Sequence, residues 1–405
     1  MKQVIVIGGG ASGLMAAYTA AAEGKDVLLL EKNEKLGKKI YITGKGRCNV
    51  TNDCSAEQFL ANVVHGGKFL TRAAYAFPPS RTMEFFETHG LMLKVERGNR
   101  VFPASDHASD VTKALEHACR DAGAEIRLGE EVTGIGQRDG AVCMVHTSRA
   151  AYPCSSVIIA TGGCSYPSTG STGDGYKFAM SLGHTCTPRT PSLVGLELRE
   201  DIGVAQGVSL KNVVLTAKRG GKKFFSEMGE LLFTHYGISG PLVLTLSALI
   251  NRDPLSEITL SLDFKPALDD EMLEQRLLRD LSERKNETMK NAMRGLLPAG
   301  AVQIVLHAAG VSAFKQANSV TREERRALLS ALRAFPLTPK ALRGFGEAVI
   351  TSGGVSLQEV DPATMRSKRV RGLLFCGEVL DCDAFTGGFN LQIAFCTGYI
   401  AGKNA

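Results

Sequence analysis

Long hydrophobic runs are missing from this chain. No apolar stretch approaches the ~18 residues that a membrane-spanning helix requires. The chain also begins with strand-like sequence, rather than with the charged region, apolar region and cleavage site of a secretory signal. These two absences predict a cytoplasmic protein without a membrane partner.

Paired cysteines and tryptophan are missing as well. The 10 cysteines are scattered singly, without C-x-x-C pairs or clusters with histidine. In a cytosolic chain this predicts reduced thiols, no structural zinc and no other metal site. The chain has no tryptophan, no internal repeat and no low-complexity linker. Its sequence also shows no recognisable RNA-binding module.

The bulk composition is that of an ordinary globular protein. Of the 405 residues, 44% are hydrophobic and 22% are charged. This length allows two or three domains with cores of their own. The net charge of +6 is mild, so it allows a polyanionic partner without demanding one.

The beginning of the chain carries the most informative pattern. An apolar run at residues 4–7 leads into GGGASG at residues 8–13 and then into alanine-rich sequence that predicts a helix. In this G-x-G-x-x-G pattern Gly8 permits a tight turn, Gly10 lets the backbone approach a pyrophosphate, and Gly13 lets the helix pack closely on the sheet. The N-terminus of the helix would then face the phosphates.

An acid follows where such a fingerprint needs one. A second apolar run at residues 27–30 ends in Glu31, which lies 18 residues past Gly13. A carboxylate here accepts hydrogen bonds from an adenosine ribose, and an acid rather than an arginine argues against a ribose phosphate. The fingerprint therefore predicts FAD or NAD at this site, and not NADP.

The two ends of the chain are predicted to form one domain. Residues 157–160 are typical of a buried strand and end in the turn TGG, and residues 372–375 are typical of another and end in CGE. Both turns suit a chain that passes close beside a dinucleotide. A helix over residues 391–401 closes the protein, so the middle of the chain is interpreted as an insertion.

The insertion begins with strand-like sequence. Residues 258–264 alternate apolar and polar side chains, which is the period of a half-buried strand. Gly220 and Gly221 separate two strand-like arms, as in a hairpin. We therefore predict an inserted β-rich domain over residues 191–265.

The rest of the insertion has a helical pattern. Thr321 and Glu324 form a predicted capping box, and the helix that follows is expected to stop at Pro336. One face of that helix carries Ala327, Leu328, Ala331, Leu332 and Phe335. We predict a helical subdomain over residues 266–345, flanked by the two parts of the nucleotide-binding domain at residues 1–190 and 346–405.

Four motifs in a fixed order carry a family resemblance. They are GKKIYITGKGRCNVTN at residues 37–52, ATGGCSYPSTGSTGDGY at 160–176, LLFTHYGISGP at 231–241 and GEVLDCDAFTGGFNLQ at 377–392. With them the chain closely resembles the BaiN/RdsA-like family of bacterial flavoproteins over essentially its whole length. It departs from the family pattern at Lys45, where a glycine is common, and at Cys164, where a basic or polar residue is expected.

The resemblance implies a fold and an activity. The fold is α/β, with a Rossmann-like FAD-binding domain built from both chain ends and an inserted β-barrel plus helical subdomain. The activity is NAD(P)H-dependent reduction of a C=C bond conjugated to a carbonyl, either in a uridine of large-subunit rRNA, giving dihydrouridine, or in an unsaturated 3-oxo bile acid. In both cases hydride from flavin N5 adds to the β-carbon and an acid protonates the α-carbon. Since a second G-x-G-x-x-G is missing, NAD(P)H is expected to visit the flavin transiently, unless another protein supplies the electrons.

The segment before the last helix is predicted to face the flavin. Gly387 and Gly388 would let backbone N–H groups face flavin N1 and the C2 carbonyl, and the helix dipole would stabilise the anionic reduced flavin. The alternative is an ordinary helix N-terminus. The resemblance assigns Glu378 to the ribitol chain, with a solvated loop carboxylate as the alternative. The predicted cofactor-binding residues are Gly8, Gly10, Ala11, Ser12, Gly13, Glu31, Lys32, Gly37, Gly46, Arg47, Cys48, Asn49, Thr161, Gly162, Gly163, Gly377, Glu378, Gly387, Gly388, Phe389 and Asn390.

Two residues are candidate proton donors in catalysis. Cys48 lies in a glycine-rich basic loop, where Lys45 and Arg47 would tune the pKa of its thiol. The alternative is a buried and inert cysteine. His235 is the second candidate, and the alternative is a histidine that only satisfies local hydrogen bonds.

Basic residues form three clusters that would position phosphates and make binding salt-dependent. The alternative is a set of solvated charged loops. The clusters are Lys32, Lys35, Lys38, Lys39, Lys45 and Arg47; Lys218, Arg219, Lys222 and Lys223; and Arg366, Lys368, Arg369 and Arg371. They make large-subunit rRNA or a ribosome precursor a candidate partner, with a small-molecule enone as the alternative.

The sequence thus predicts an FAD-dependent reductase of a conjugated double bond, with three alternatives left open. A flavin-dependent RNA methyltransferase sharing the FAD fold would require folate. A monooxygenase would consume oxygen in proportion to product. A non-catalytic flavin-binding scaffold would not let NAD(P)H bleach its flavin. The sequence does not choose between rRNA and a steroid.

Overall fold

The structure is a computed structural model that describes residues 2–405, apart from the side chains of Lys2 and Lys45. The chain divides into two compact units. The first unit contains the chain up to Ser192 together with Phe345–Ala405, and the second contains Leu193–Gly344.

The α-helices of the described residues are distributed over the whole chain. They are α1 (Ala11–Ala22), α2 (Lys38–Ile42), α3 (Ala56–Ala61), α4 (Gly67–Ala76), α5 (Pro79–Thr88), α6 (Ala108–Asp121), α7 (Asp174–Ser181), α8 (Pro241–Ile250), α9 (Asp270–Glu283), α10 (Met289–Ala292), α11 (Ala299–Ala308), α12 (Arg322–Arg333) and α13 (Phe389–Asn404).

The strands are shorter and more numerous. They are β1 (Lys2–Ile7), β2 (Val27–Glu31), β3 (Thr51–Asn52), β4 (Val63–His65), β5 (Leu93–Glu96), β6 (Arg100–Pro103), β7 (Glu125–Leu128), β8 (Val132–Arg138), β9 (Ala141–Thr147), β10 (Ala151–Ile159), β11 (Thr190–Ser192), β12 (Leu196–Leu198), β13 (Ser209–Arg219), β14 (Lys222–Phe233), β15 (Gly237–Ser239), β16 (Ile258–Asp263), β17 (Phe335–Leu337), β18 (Pro339–Leu342), β19 (Ile350–Ser352), β20 (Leu373–Phe375) and β21 (Asp383–Ala384).

The first unit is built on a parallel sheet in which both chain ends meet. The strand order is β7-β2-β1-β10, and β20 from the C-terminal part also pairs with β10, all in parallel. Every residue of β2 is buried, as expected for a strand covered by helices on both faces. The predicted Rossmann-like α/β fold is therefore confirmed. The N-terminal half of β10 continues into an antiparallel extension with β9 and β8.

Two helices of this unit pack with their backbones in contact. A Cβ atom at Gly398 of α13 would lie 2.5 Å from the carbonyl oxygen of Ser12 in α1, and one at Gly402 would lie 2.4 Å from that of Ala16. Because real Cβ atoms do not approach so closely, glycine at both positions allows α1 and α13 to touch. This contact fixes the two helices, one from each end of the chain, in one rigid pair.

The second unit contains a seven-stranded antiparallel sheet. Its order is β17-β16-β13-β14-β15-β12-β18, and α8–α12 belong to the same unit. The predicted hairpin is confirmed, since Arg219 pairs with Lys222 and both Gly220 and Gly221 have a positive φ. The predicted strand that begins at Ile258 is confirmed as β16.

One boundary in this unit differs from the prediction. The capping box at Thr321 and Glu324 is confirmed, but the helix ends at Arg333, so the expectation that Phe335 lies on its face is wrong. Phe335 is the first residue of β17, which pairs with β16. Helical and strand periods both place this side chain on a buried face, which is why the sequence pattern did not separate them.

Two kinds of feature are absent from the part of the chain that the structure describes. No helix within residues 2–405 is both long and apolar enough to cross a membrane. Over the same residues, no group of three or more His, Cys, Asp or Glu side chains is arranged to hold a metal ion.

Candidate functional site

The glycine-rich turn after β1 is shaped by close backbone contacts. Gly8 has a φ of +106°, and a Cβ atom there would lie 2.6 Å from the carbonyl oxygen of Ala160 at the end of β10. A Cβ atom at Gly13 would lie 1.9 Å from the carbonyl oxygen of Gly8. Any larger residue at either position would therefore displace the backbone, so the turn requires glycine at both.

Gly10 differs from these two glycines because it borders open space. A Cβ atom there would meet no atom within 4 Å. Gly10 is also the N-cap of α1, and no side chain caps the helix. The first backbone N–H groups of α1, including those of Ala11 and Ser12, have no partners within the helix itself. An open space in front of an uncapped helix N-terminus fits a pyrophosphate.

The carboxylate of Glu31 closes the other side of the turn. One oxygen accepts a hydrogen bond from the backbone N–H of Gly9 at 2.7 Å, and the other accepts from the backbone N–H and side-chain amide of Asn33 at 2.8 and 2.6 Å. Each carboxylate oxygen has more than one lone pair, so these bonds leave acceptor capacity for a ribose hydroxyl. Glu31 thus fits a dinucleotide and also holds β2 against the glycine turn.

Lys32 is engaged within the protein. Its ammonium contacts the Thr172 hydroxyl and the Asp174 carboxylate, each at 2.6 Å. Burial alone would raise the pKa of Asp174, but its hydrogen bonds with Lys32, Thr172 and Lys177 lower that pKa to about 2. Lys32 therefore positions the loop that leads into α7.

A partly buried polar network surrounds Glu378. One carboxylate oxygen contacts the Lys39 ammonium at 2.7 Å, and the other accepts from the Ser165 hydroxyl at 2.9 Å and the backbone N–H of Thr351 at 2.8 Å. Three donors of the protein therefore hold this carboxylate, while 20% of the side chain stays exposed. A Cβ atom at Gly163 would lie 2.7 Å from this carboxylate, so Gly163 leaves room for it.

Gly377 lets the Glu378 network lie next to α1. A Cβ atom at Gly377 would lie 2.3 Å from the Ser12 hydroxyl oxygen. The turn after β20 and the start of α1, which are far apart in sequence, are thus adjacent. The sequence placed Lys39 only in a basic cluster, and nothing in its local pattern pointed to Glu378 as its partner.

The turn before α13 is fixed by residues of β3. Gly388 has a φ of +95°, and a Cβ atom there would lie 2.4 Å from the carbonyl oxygen of Thr51. The side-chain amide of Asn52 donates to the carbonyl oxygen of Gly387 at 3.2 Å. Gly388 is the N-cap of α13, and no side chain caps this helix either. Its first N–H groups therefore have neither a partner within the helix nor a side-chain cap.

Two other predicted residues of this turn point into the protein. The Asn390 side chain accepts from the backbone N–H of Ala384 at 2.9 Å and donates to the carbonyl oxygen of Ala384 at 2.7 Å. Phe389 stacks on Phe59 with ring centroids 6.4 Å apart. In this structure both side chains therefore hold the protein framework around the turn.

Gln392 is a residue of the site that the sequence analysis missed. It is fully buried, and its side-chain oxygen accepts from the hydroxyls of Thr51 and Thr82, both at 2.7 Å. Its side-chain nitrogen donates to the carbonyl oxygen of Phe77 at 2.8 Å. An amide side chain directly between Leu391 and Ile393 was the signal that could have revealed it.

The environment of Cys48 is buried, whereas the sequence suggested a basic loop. Cys48 is fully buried and has a φ of +59°. Burial raises the pKa of its thiol to about 12. Arg47 does not lower this pKa, because its guanidinium contacts the carboxylates of Asp106 and Glu96. The expectation that Arg47 tunes the thiol is therefore corrected, and the side chain of Lys45 lies outside the described residues.

The remaining loop residues shape the backbone around the site. Gly37, Gly46 and Gly162 all have a positive φ, at +62°, +87° and +73°. Among the described residues, no hydrogen-bond partner reaches the buried Asn49 Oδ1 or Thr161 Oγ1. Both atoms are shielded from solvent, so in this structure neither faces an open groove.

We expect replacement of Cys48 by alanine to change stability rather than chemistry. A buried thiol with a raised pKa is a poor proton donor to a substrate, so substrate-driven oxidation of the reduced protein should stay within about twofold of the parent rate. Loss of the buried sulfur should cost roughly 1–2 kcal/mol of unfolding free energy. The matched control is Cys119→Ala, since Cys119 is also buried with a pKa raised to about 12. A rate loss of about 100-fold at Cys48 alone would restore its catalytic assignment.

His235 lies in the second unit, between β14 and β15. Its side chain is exposed and meets the Tyr236 ring edge to face, with centroids 5.0 Å apart. The guanidinium of Arg343 lies over the same tyrosine ring at 4.4 Å. The other predicted site residues belong to the first unit.

A histidine that the sequence analysis did not consider lies in the first unit. The Nδ1 atom of His65 in β4 is 2.7 Å from a carboxylate oxygen of Asp383 in β21, and the two short strands pair. The Asp383 side chain is fully buried, whereas 27% of the His65 side chain is exposed. The two residues are 318 positions apart in the sequence, so no local pattern could have joined them.

Many of the basic residues form ion pairs with acids or hydrogen bonds to carbonyl groups. Lys38 pairs with Glu34, Arg219 with Asp253 and Arg369 with Glu359, and Arg366, Lys368 and Arg371 donate to backbone carbonyl oxygens. The side chains of Lys218, Lys222 and Lys223, at the tip of the β13–β14 hairpin, are exposed. This hairpin tip is the part of the basic clusters that stays most open to a partner.

Comparisons with known proteins relate this arrangement to a family. A family model described as the HI0933-like protein Rossmann domain matches residues 2–404. The chain is 33% identical over 412 residues to a 3-dehydro-bile acid delta(4,6)-reductase of Clostridium scindens, covering 100% of this chain and 99% of that protein. It is 30% identical over 407 residues to a ribosomal RNA dihydrouridine synthase of Escherichia coli, covering 99% of this chain and 97% of that protein.

Solved structures add a likeness of fold. A flavocytochrome c3 fumarate reductase in an open conformation aligns with a TM-score of 0.54 and 18% identity, covering 100% of this chain and 78% of that one. At this identity the likeness concerns the fold alone. The match of the family model along the chain, together with relatives of 30% identity or more, confirms the resemblance predicted from the four motifs: the chain belongs to the HI0933-like family.

Proposed function

We propose that this protein is an FAD-dependent oxidoreductase that reduces a C=C bond conjugated to a carbonyl. The observation that supports it most is the open space in front of the N-terminus of α1 at Gly10, together with the glycine N-cap of α13 at Gly388 in the same unit. Their helices, α1 and α13, touch through Gly398 and Gly402. A flavin dinucleotide carries a pyrophosphate and, at its other end, a ring that becomes negatively charged on reduction, and each suits one helix N-terminus.

The named activities of the relatives support the choice of reaction. One is called a reductase of the Δ4,6 double bonds of a 3-dehydro-bile acid, and the other a dihydrouridine synthase of ribosomal RNA. Both names describe saturation of a carbon–carbon double bond next to a carbonyl system. We take this shared chemistry as the reaction of the present protein.

The residues of the first unit would divide the work of binding FAD. The N–H groups of α1 would hold the pyrophosphate and Glu31 the adenosine ribose. Glu378, oriented by Lys39 and Thr351, would hold the ribitol chain. The N-terminus of α13 would stabilise negative charge on the ring. When bound, FAD supplies the hydride.

We propose NAD(P)H as a transient electron donor, because the chain has one dinucleotide fingerprint and the bound FAD would occupy it. We also propose a cytoplasmic location. No disulfide bond joins any of the ten cysteines, all of which lie among the described residues, and this suits a reducing compartment.

We further propose that the substrate is a uridine of large-subunit rRNA. The exposed lysines of the hairpin tip, Lys218, Lys222 and Lys223, support this choice, because a cluster of exposed cations suits a phosphate backbone. A small-molecule enone such as an unsaturated 3-oxo bile acid is the alternative substrate, and it does not require these lysines.

The hairpin tip offers a direct test of RNA binding. Replacing Lys218, Lys222 and Lys223 with glutamine should weaken binding to unmodified large-subunit rRNA. The slope of log K against log salt should fall by about one unit for each lysine that binds a phosphate in the parent protein. The control removes three exposed lysines elsewhere, Lys25, Lys68 and Lys285, and so changes net charge equally. Equal losses of affinity in both variants would show that the effect arises from net charge alone. That result would favour the small-molecule substrate.

The proposed reaction itself can be tested in cells. Mass spectrometry of large-subunit rRNA from cells that lack the gene should show loss of one dihydrouridine, and the parent gene should restore it. A gene carrying the three hairpin substitutions should restore it less completely than a gene carrying the three control substitutions. Unchanged dihydrouridine content in the cells that lack the gene would contradict the rRNA substrate.

A further inference from the structure

The pair formed by His65 and Asp383 is centred on a buried carboxylate and is held by further hydrogen bonds. The buried Asp383 carboxylate lies 2.7 Å from His65 Nδ1. The Ser352 hydroxyl donates to the same carboxylate oxygen at 3.0 Å, and the Ser192 hydroxyl to the other at 3.4 Å. Two hydroxyls and one imidazole thus converge on a single carboxylate that solvent does not reach.

This arrangement determines which ring nitrogen of His65 can exchange a proton with a substrate. A carboxylate accepts a hydrogen bond from Nδ1, so Nδ1 carries a proton and the ring is held in one orientation. Among the described residues, no hydrogen bond to Nε2 is found, and part of the ring is exposed. When the ring carries a second proton, that proton is on Nε2, the nitrogen that Asp383 does not occupy. A histidine whose ring is oriented by a buried acid is a common arrangement for proton transfer.

The pair is connected through adjacent residues of the chain to two parts of the proposed flavin site. Ser352, which contacts Asp383, directly follows Thr351, whose backbone N–H contacts Glu378. Ala384, which directly follows Asp383, is held at both its N–H and its carbonyl group by the Asn390 amide at the start of α13. Consecutive Cα atoms are only ~3.8 Å apart. The pair is therefore a near neighbour of both the Glu378 network and the N-terminus of α13.

We infer that His65 is the catalytic residue that protonates the substrate, and that Asp383 is a positioning residue that orients it; this inference rests on the proposed double-bond reduction. When bound, reduced FAD would supply a hydride to one carbon of the substrate C=C bond. The neighbouring carbon takes a proton from Nε2 of His65, which gives the saturated product and a neutral imidazole. Water then returns a proton to Nε2. His65 suits this role better than Cys48, whose thiol is fully buried.

The test separates the two half-reactions on the FAD-loaded full chain. The protein is reduced with dithionite without oxygen and mixed with either unmodified large-subunit rRNA or a 3-oxo-4,6-diene bile acid, and the return of oxidised flavin is followed by stopped-flow absorbance. His65→Gln should slow this step by about 100-fold. Asp383→Asn should slow it by at least about tenfold, because the ring is no longer held in one tautomer. The control His117→Gln, at an exposed position of α6, should not change it.

Further readouts distinguish catalysis from a structural role. The dissociation constant for FAD and the thermal midpoint of the apoprotein should be the same in His65→Gln and in the parent. Added imidazole should restore part of the lost rate in His65→Ala, since it can enter the space left by the side chain and supply a proton.

Three outcomes would overturn the inference. Reoxidation of His65→Gln at the parent rate would do so and would leave the proposed function intact. Loss of FAD affinity in His65→Gln, without rescue of His65→Ala by imidazole, would assign His65 a structural role. Failure of both probes to oxidise the reduced parent protein would overturn the proposed function together with this inference.

Discussion

Replacing Gly10 with leucine is expected to give a folded but colourless protein. The N-cap position has an ordinary extended backbone, with φ −85° and ψ −173°, and a Cβ atom there meets no protein atom within 4 Å. A side chain at this position therefore costs the apoprotein little. The same side chain would fill the space in front of α1 that the pyrophosphate needs. We expect affinity for FAD to fall by about 1,000-fold, which corresponds to about 4 kcal/mol.

Gly13, another glycine of the same turn, supplies the contrast for this experiment. A Cβ atom at Gly13 would lie 1.9 Å from a backbone oxygen, so Gly13→Ala should lower the stability of the apoprotein itself. FAD occupancy would be measured by absorbance after gel filtration, and apoprotein stability by thermal unfolding. A Gly10→Leu protein that keeps the parent affinity for FAD would contradict the assignment of this space to the cofactor.

Replacing Gln392 with leucine is expected to produce the largest loss of stability. The substitution keeps the approximate volume of the side chain but leaves the hydroxyls of Thr51 and Thr82 and the carbonyl oxygen of Phe77 without the partner they have now. All four residues are buried. A buried polar group left unpaired costs roughly 1–3 kcal/mol. The unfolding free energy of the first unit should therefore fall by about 3 kcal/mol or more.

A compensated variant separates the effect of the hydrogen bonds from the effect of packing. Adding Thr51→Val and Thr82→Val to Gln392→Leu removes two of the unpaired groups, and replacing both partners of a hydrogen bond by apolar groups is nearly neutral. We expect this triple variant to regain more than half of the lost stability in urea unfolding. If the triple variant is less stable than the single one, the network does not act through its hydrogen bonds.

The sequence predicted the parts of the site that depend on local rules. The β1–α1–β2 segment could be predicted because its strand, glycine turn, helix and acid follow one another within 31 residues. The turn at Gly8 and the close packing at Gly13 follow from backbone geometry, which one sequence pattern encodes. The hairpin at Gly220 and Gly221 could be predicted for the same reason.

The parts that were missed depend on contacts between distant residues. Lys39 and Glu378 are 339 positions apart, and His65 and Asp383 are 318 apart. Lys39 lies in α2 and Glu378 follows β20, while His65 lies in β4 and Asp383 in β21. The packing of such distant elements creates these pairs, and no periodicity encodes it. For a related reason the sequence left open whether Cys48 is a reactive thiol or a buried one. Its basic neighbours are visible in the sequence, but burial, which raises the pKa of the thiol, depends on the whole fold.

The proposed reaction is the transfer of a hydride from reduced FAD to a conjugated double bond. The most direct measurement is a single turnover without oxygen, in which the FAD-loaded protein is reduced with dithionite and then mixed with unmodified large-subunit rRNA or a 3-oxo-4,6-diene bile acid. Oxidised flavin should return in equal amount to a product that is heavier by two hydrogen atoms. Flavin that stays reduced until oxygen is admitted, with both probes recovered unchanged, would contradict it.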